Sequence, residues 1–198
     1  MRMDLIDQKS EAIAKDIQNN LTQILQEHTA LSQKMDFSPF IKLINDIIKA
    51  DAIFLIASGR SGFAMRAIAM RLMHLGFQVY FVGETITPAI KAGDVLWAAS
   101  GSGTTGTIVK AAEKAKQVGA KVIAFTTNEA STLARLANTH ILVPAAEKQD
   151  HGGSKSMQYA GSLFEQAVLL IGDAIFMELW KINGTPAEEL WKRHANME

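Results

Sequence analysis

The chain has 198 residues, 48% of them hydrophobic and 20% charged, which is enough for one well-buried α/β core and short for two independent domains. Twenty Lys and Arg balance twenty Asp and Glu, so the formal charge is zero and the basic footprint of a nucleic-acid or anionic-membrane binder is missing. The lack of cysteine excludes disulfides, thiolate catalysis and Cys-ligated zinc or iron–sulfur sites.

The opening residues Met1-Arg2-Met3-Asp4 lead into mixed-charge sequence without the apolar core of a secretory signal. The longest uncharged run, residues 95–109, is too short and too rich in Gly and Ser to span a bilayer. The expectation is a soluble cytoplasmic protein with a small-molecule partner, binding neither nucleic acid nor membrane. Over residues 5–25 the side chains of Ile6, Ile13, Ile17, Leu21, Ile24 and Leu25 fall on one helical stripe among Lys, Asp, Gln and Glu, which predicts a long amphipathic helix. Ser38 and Pro39, an N-cap and first-turn pair, announce a second helix that runs through Phe40, Ile41, Leu43, Ile44, Ile47 and Ile48 to near Asp51. Residues 1–50 thus read as N-terminal helices used in packing or oligomerisation, within one domain spanning 1–198.

From there short apolar runs alternate with helical spacing. Residues 52–57, 78–82, 94–99, 121–126 and 139–143 read as five strands buried on both faces, and residues 62–75, 105–118, 131–137 and 161–180 as helices. Residues 83–93, with Pro88 and turn residues, separate the second and third strands without a helix. Alternating β and α predicts an α/β fold, a parallel sheet with helices on both faces and right-handed crossovers. The stretch 144–159, with Gly152-Gly153 and several charges, is the one loop long enough to invite a functional reading.

Two places break the apolar pattern alike, each at the carboxyl end of a predicted strand and the start of a helix. They are Ser58-Gly59-Arg60-Ser61-Gly62 and Ser100-Gly101-Ser102-Gly103-Thr104-Thr105-Gly106. In an open α/β sheet, ligands bind beyond the carboxyl ends of the strands where strand order reverses, and with the order 2-1-3-4-5 these loops flank that point. Glycines let backbone amides approach an anion, the helix N-terminus adds unpaired N–H groups, and Ser61, Ser100, Ser102 and Thr105 add hydroxyls. The combination suits a phosphate monoester; taken singly, each loop also fits an ordinary βα turn with its cap. The run from Gly101 to Gly106 satisfies G-x-G-x-x-G, yet it follows the third strand, and the next strand ends in Thr126-Thr127-Asn128 without the acid a ribose contact needs. Gly106 is followed by Thr107 and not by the Lys of a P-loop, which argues against ATP and GTP.

For proton transfer, Glu165 lies one turn into the helix that begins near Gly161, between Phe164 and the apolar run from Ala167 to Ile171. Desolvation there would raise its pKa while the helix N-terminus pulls it down, and a carboxylate that only complements the helix dipole fits the same position. His28 and His74 sit in helical pattern, His140 in a strand and His151 in the long loop, all positions that suit structural or solvated roles. His194 stands near the end of the sequence, where fraying is the ordinary expectation. No spacing of His, Asp and Glu suggests a metal site.

Taken together, Gly59-Arg60-Ser61-Gly62, residues 69–76, Val82-Gly83-Glu84 with Thr87-Pro88, Ser100-Gly101-Ser102-Gly103 with Thr105, residues 161–166 and the tail from His194 to Glu198 resemble the motifs of the sugar isomerase (SIS) domain family, and within it the 6-phospho-3-hexuloisomerases. The similarity runs through nearly the whole chain. It implies a three-layer αβα sandwich with a five-stranded parallel sheet in flavodoxin-like order. It further implies a substrate phosphate held by Ser61 and by Ser100, Gly101, Ser102, Gly103, Thr104 and Thr105, and Glu165 as proton acceptor. His194 would reach a neighbouring subunit's site in a homotetramer to assist ring opening or relay a proton. The implied reaction interconverts D-arabino-3-hexulose 6-phosphate and D-fructose 6-phosphate through an enediol, in the ribulose monophosphate pathway of formaldehyde fixation, and requires no cofactor. Ala57, Thr104 and Tyr159-Ala160 depart from the family's pattern. Glu84 could orient a sugar hydroxyl or stabilise its own loop. Another sugar-phosphate isomerase, such as a phosphoheptose isomerase, and a non-catalytic sugar-phosphate sensor are the alternatives. The N-terminal stripe has two outcomes, burial within the monomer or contact between subunits.

Overall fold

Continuous apolar runs form strands only if both faces of the sheet are covered, and alternate residues here point into two separate cores. The computed structural model describes residues 10–146, 156–159 and 161–197. Its elements in chain order are α1 (Ser10–Lys34), α2 (Ser38–Ile48), β1 (Ile53–Ala57), α3 (Gly59–His74), β2 (Val79–Phe81), β3 (Val95–Ala99), α4 (Gly106–Gln117), β4 (Lys121–Thr126), α5 (Thr132–Leu136), β5 (Thr139–Leu142), α6 (Ser162–Asn183) and α7 (Ala187–Trp191). All strand pairs are parallel and the order is β2-β1-β3-β4-β5. Ile53, Leu55, Trp97, Ile123 and Phe125 pack with α2, α3 and α6 on one face. Phe54, Ile56, Leu96, Ala98, Val122 and Ala124 pack with α4 and α5 on the other. The expected αβα sandwich and its strand order are therefore present, with the switch point between β1 and β3.

Three details differ from the sequence reading. Ser38 is the first residue of α2 rather than its cap; Asp36 satisfies that end instead, accepting from the Ser38 backbone N–H and hydroxyl, each at 2.8 Å. The first helix continues to Lys34, nine residues past the predicted end, because Leu31 and Met35 reach the core. The short α7 was not foreseen; its single turn follows Pro186 and buries only Leu190. Residues 5–9 of the first predicted helix and residues 147–155 of the long loop lie outside the described residues.

The N-terminal stripe is uncovered by the chain itself: Ile13, Ile17, Leu21 and Leu25 are 40–64% exposed. Full burial of such a side chain is worth roughly 1.5–3 kcal/mol. Among the described residues no helix is long and apolar enough to cross a membrane.

Candidate active site

The switch point is built by two βα turns. After β1, Ser58 is extended and Gly59 takes φ +60° to open α3, and Gly62 lies so close to β1 that a Cβ would come within 3.3 Å of the Ala57 carbonyl oxygen. After β3, residues 100–105 close on themselves. The Ser100 Oγ lies 2.9 Å from Thr105 Oγ1, and the Thr104 N–H and hydroxyl both donate to Ser102 Oγ. Thr126 and Thr127, at the end of β4, brace the turn by donating their hydroxyls to the Gly101 carbonyl at 3.0 and 2.9 Å.

These turns enclose a cavity of about 360 Å³ lined by Ser58, Ser61, Ser100, Gly101, Ser102, Thr104 and Thr105, with Asn128, Gly161 and Phe164 completing its wall. Six of the seven expected phosphate-loop residues thus share one polar concavity, beside helix ends whose first N–H groups lack intrahelical acceptors. Gly103 is not on that wall. Its N–H donates to the Ser100 carbonyl and hydroxyl, and a Cβ there would collide with Ser131, the cap of α5. With φ +62°, it gives the loop its shape rather than a ligand contact.

Glu165 sits in the first turn of α6, which Gly161 opens in the left-handed conformation at φ +77°. The carboxylate is buried, and its Oε2 lies 3.3 Å from Arg60 Nη1 at the start of α3. The same nitrogen donates to Ser162 Oγ at 3.1 Å. Phe164 packs on Gly101 and lines the first cavity, whereas Glu165 lines a second cavity of about 270 Å³ together with Arg60, Phe63, Ala67, Gln166 and Leu169. Consecutive residues of α6 thus line different cavities, and Arg60 and Glu165 both line the second. The close approach of α3 and α6 depends on Gly172, where a Cβ would collide with Ile68.

Arg60 was not among the expected site residues. A lone Arg in a glycine-rich turn reads as a loop residue, and its pairing with a carboxylate 105 positions away is tertiary; a candidate base without a nearby cation was the signal that could have prompted the search. Glu84 pairs with Arg66 of α3 away from both cavities, which favours its loop-stabilising role. His28 Nε2 lies 2.9 Å from Gln166 Oε1, His140 is exposed, and His151 lies outside the described residues. Among the described residues no three His, Asp or Glu side chains gather as metal ligands.

His194 is brought to the far end of α3. Its ring stacks on buried His74 at 4.1 Å and on Trp191 at 4.4 Å, while Arg193 donates to the His74 carbonyl at 3.0 Å. From Arg60 to His74, α3 spans about 21 Å at 1.5 Å per residue, so His194 and Glu165 of one chain stand at opposite ends of the same helix. Burial, and then the positive charges of His194, Arg71 and Arg193, hold the His74 pKa below its ordinary value of 6.5.

The SIS domain family matches residues 46–170. A Mycobacterium gastri protein named 3-hexulose-6-phosphate isomerase is 48% identical over 188 residues, covering 95% of this chain and 94% of its own. A Bacillus subtilis protein of the same name is 39% identical over 158 residues, 79% of this chain and 85% of its own. A solved Methanococcus jannaschii structure, for which that same molecular function was inferred, superposes with a TM-score of 0.79 at 32% identity, covering 91% of this chain and 99% of its own. The chain belongs to the SIS domain family.

Proposed function

We propose that this chain is a ketose-phosphate isomerase that interconverts D-arabino-3-hexulose 6-phosphate and D-fructose 6-phosphate, acting in the cytoplasm in the ribulose monophosphate pathway of formaldehyde assimilation. The two sugars differ only in whether the carbonyl stands at C3 or C2, so the reaction needs proton transfer and no external oxidant. The phosphate seats in the cavity of Ser61, Ser100, Gly101, Ser102, Thr104 and Thr105, where hydroxyls and helix-end amides suit a dianion. That anchorage directs the sugar toward Glu165. Glu165 takes the proton from C2, the C2–H electrons form the C2=C3 bond, and the carbonyl electrons move to O3. In the resulting enediolate the proton on O2 passes to O3, and Glu165 returns a proton to C3 as the C2 carbonyl forms. Arg60, whose Nη1 lies 3.3 Å from Glu165 Oε2, holds the carboxylate in place and brings a positive charge to the side of the sugar on which negative charge develops.

The observation that carries this reading is the adjacency of Phe164 on the phosphate cavity and Glu165 on the next one, with Arg60 beside the carboxylate. Glu165→Gln should keep fructose 6-phosphate affinity within a few-fold and lower kcat by roughly 10²–10⁴; unchanged turnover removes Glu165 as the base.

Since His194 lies far from its own chain's Glu165, its assisting role belongs in a neighbour's site. The exposed Ile13, Ile17, Leu21 and Leu25 stripe supports assembly into a homo-oligomer, read here as a tetramer. Sedimentation of an active monomer would defeat both parts of that assignment.

A further inference from the structure

Helix α1 touches the chain on both sides of Glu165 through two consecutive residues. The Glu27 carboxylate accepts hydrogen bonds from Ser156 Oγ at 2.7 Å, the Met157 N–H at 2.8 Å and Gln158 Nε2 at 3.0 Å. Within that segment the Gln158 N–H donates to Ser156 Oγ at 3.0 Å, and the Tyr159 carbonyl accepts from the Ser162 N–H at 3.1 Å in the first turn of α6. The next residue of α1, His28, meets Gln166, which lines the second cavity beside Glu165. Residues 156–158 and residue 166 bracket Gly161 and Glu165, so α1 fixes the chain just before and just after the base. Hydrogen bonds to an ionised acceptor are about twice as strong as neutral ones, and three converge on this one carboxylate. Partial burial pushes the Glu27 pKa up, but hydrogen bonds from Gln158, Ser156, Met157 and Gln23 outweigh it and leave the carboxyl below its ordinary value.

We propose that Glu27, seconded by His28, is a positioning residue: it holds residues 156–158 against α1 and thereby sets where α6 presents Glu165. The proposal rests on Glu165 being the base. It assigns the N-terminal helix a part in the active-site framework in addition to its exposed apolar stripe. Glu27 itself touches no substrate.

The test uses the full chain and the variants Glu27→Ala and Glu27→Gln, with two readouts. The first is hydrogen exchange of the Met157 amide by NMR, slow in the wild type and expected to be at least tenfold faster in Glu27→Ala. The second is steady-state kinetics alongside calorimetric binding of fructose 6-phosphate. Misplacement of a reacting group by about 1 Å can cost 10²-fold, so a loss of kcat of roughly tenfold or more is expected, with affinity changed less than threefold. Glu27→Gln, which keeps one acceptor oxygen, should recover part of both effects and serves alone if Glu27→Ala does not fold. A Met157 amide that exchanges as slowly in the variants as in the wild type overturns the proposal. So does fast exchange with kcat within twofold of wild type. A wild-type chain without hexulose phosphate turnover would instead defeat the isomerase reading, whereas a fully active wild type with an equally active Glu27→Ala defeats only the positioning role.

Discussion

The two ends of α3 are built for opposite purposes. Its N-terminal end opens from glycine, holds Ser61 toward a polar cavity and carries Arg60 against a buried carboxylate from another helix. Its C-terminal end is closed over by the tail, with Arg193 on the His74 carbonyl and two imidazoles stacked face to face. The difference follows from the helix dipole, which favours anions at the start and cations at the end. One end is left open on a polar cavity. The other is filled by the chain's own Arg193 and His194.

Four changes should act unequally on the two ends, the largest effect first. Arg60→Met removes the cation beside Glu165 and should lower kcat/KM by roughly 10²-fold, the scale seen when a donor to a developing oxyanion is lost. Its melting temperature should stay near that of wild type, because the Arg60 side chain is mostly exposed; equal activity would place the N-terminal end outside the chemistry. Ser100→Ala takes away a hydroxyl of the phosphate wall and should raise KM about tenfold, the size of one hydrogen bond to a charged group. An unaltered KM would separate that turn from the substrate.

At the other end, Arg193→Met should lower the melting temperature by about 2–4 °C, as about 1 kcal/mol does in a chain of this size. The same variant should release the tail to carboxypeptidase, and a tail digested no faster than in wild type would contradict the clasp. The smallest effect is that of pH. His74, facing His194, Arg71 and Arg193, has a folded pKa below 6.5, so the unfolded chain takes up its proton first. Its contribution is complete above pH 6.5 and is lost as pH falls below that value toward the folded pKa. Wild type should therefore lose melting temperature between pH 7.5 and 5.5 more steeply than His74→Phe, which keeps a stacking ring without a proton to gain. Parallel curves would contradict this.

The sheet was legible because residues such as Ile53 to Ile56 and Val122 to Phe125 are apolar without interruption, a pattern that only a doubly covered parallel sheet accommodates. The two turns that line the polar cavity were legible for the opposite reason: Gly and Ser appear where the apolar pattern stops. Hydroxyl spacing did not reveal that a side chain at position 103 would strike Ser131, since Ser131 arrives from a later element. Arg60, Glu27 and His28 look like surface residues in sequence. Their partners, Glu165, residues 156–158 and Gln166, lie more than a hundred positions away, and no local periodicity encodes such contacts. The separation of His194 from Glu165 became visible only once α3 set them at its two ends.

In the proposed reaction the Glu165 carboxylate moves the carbon-bound proton of a sugar anchored by its phosphate. Fructose 6-phosphate incubated in D₂O with wild type and with Glu165→Gln measures this directly, read by NMR as deuterium at C3, the carbon that loses its proton in this direction. The account predicts deuterium at C3 with wild type, and loss of that signal in Glu165→Gln in step with kcat. Exchange at C3 that proceeds at the wild-type rate without the carboxylate would contradict it.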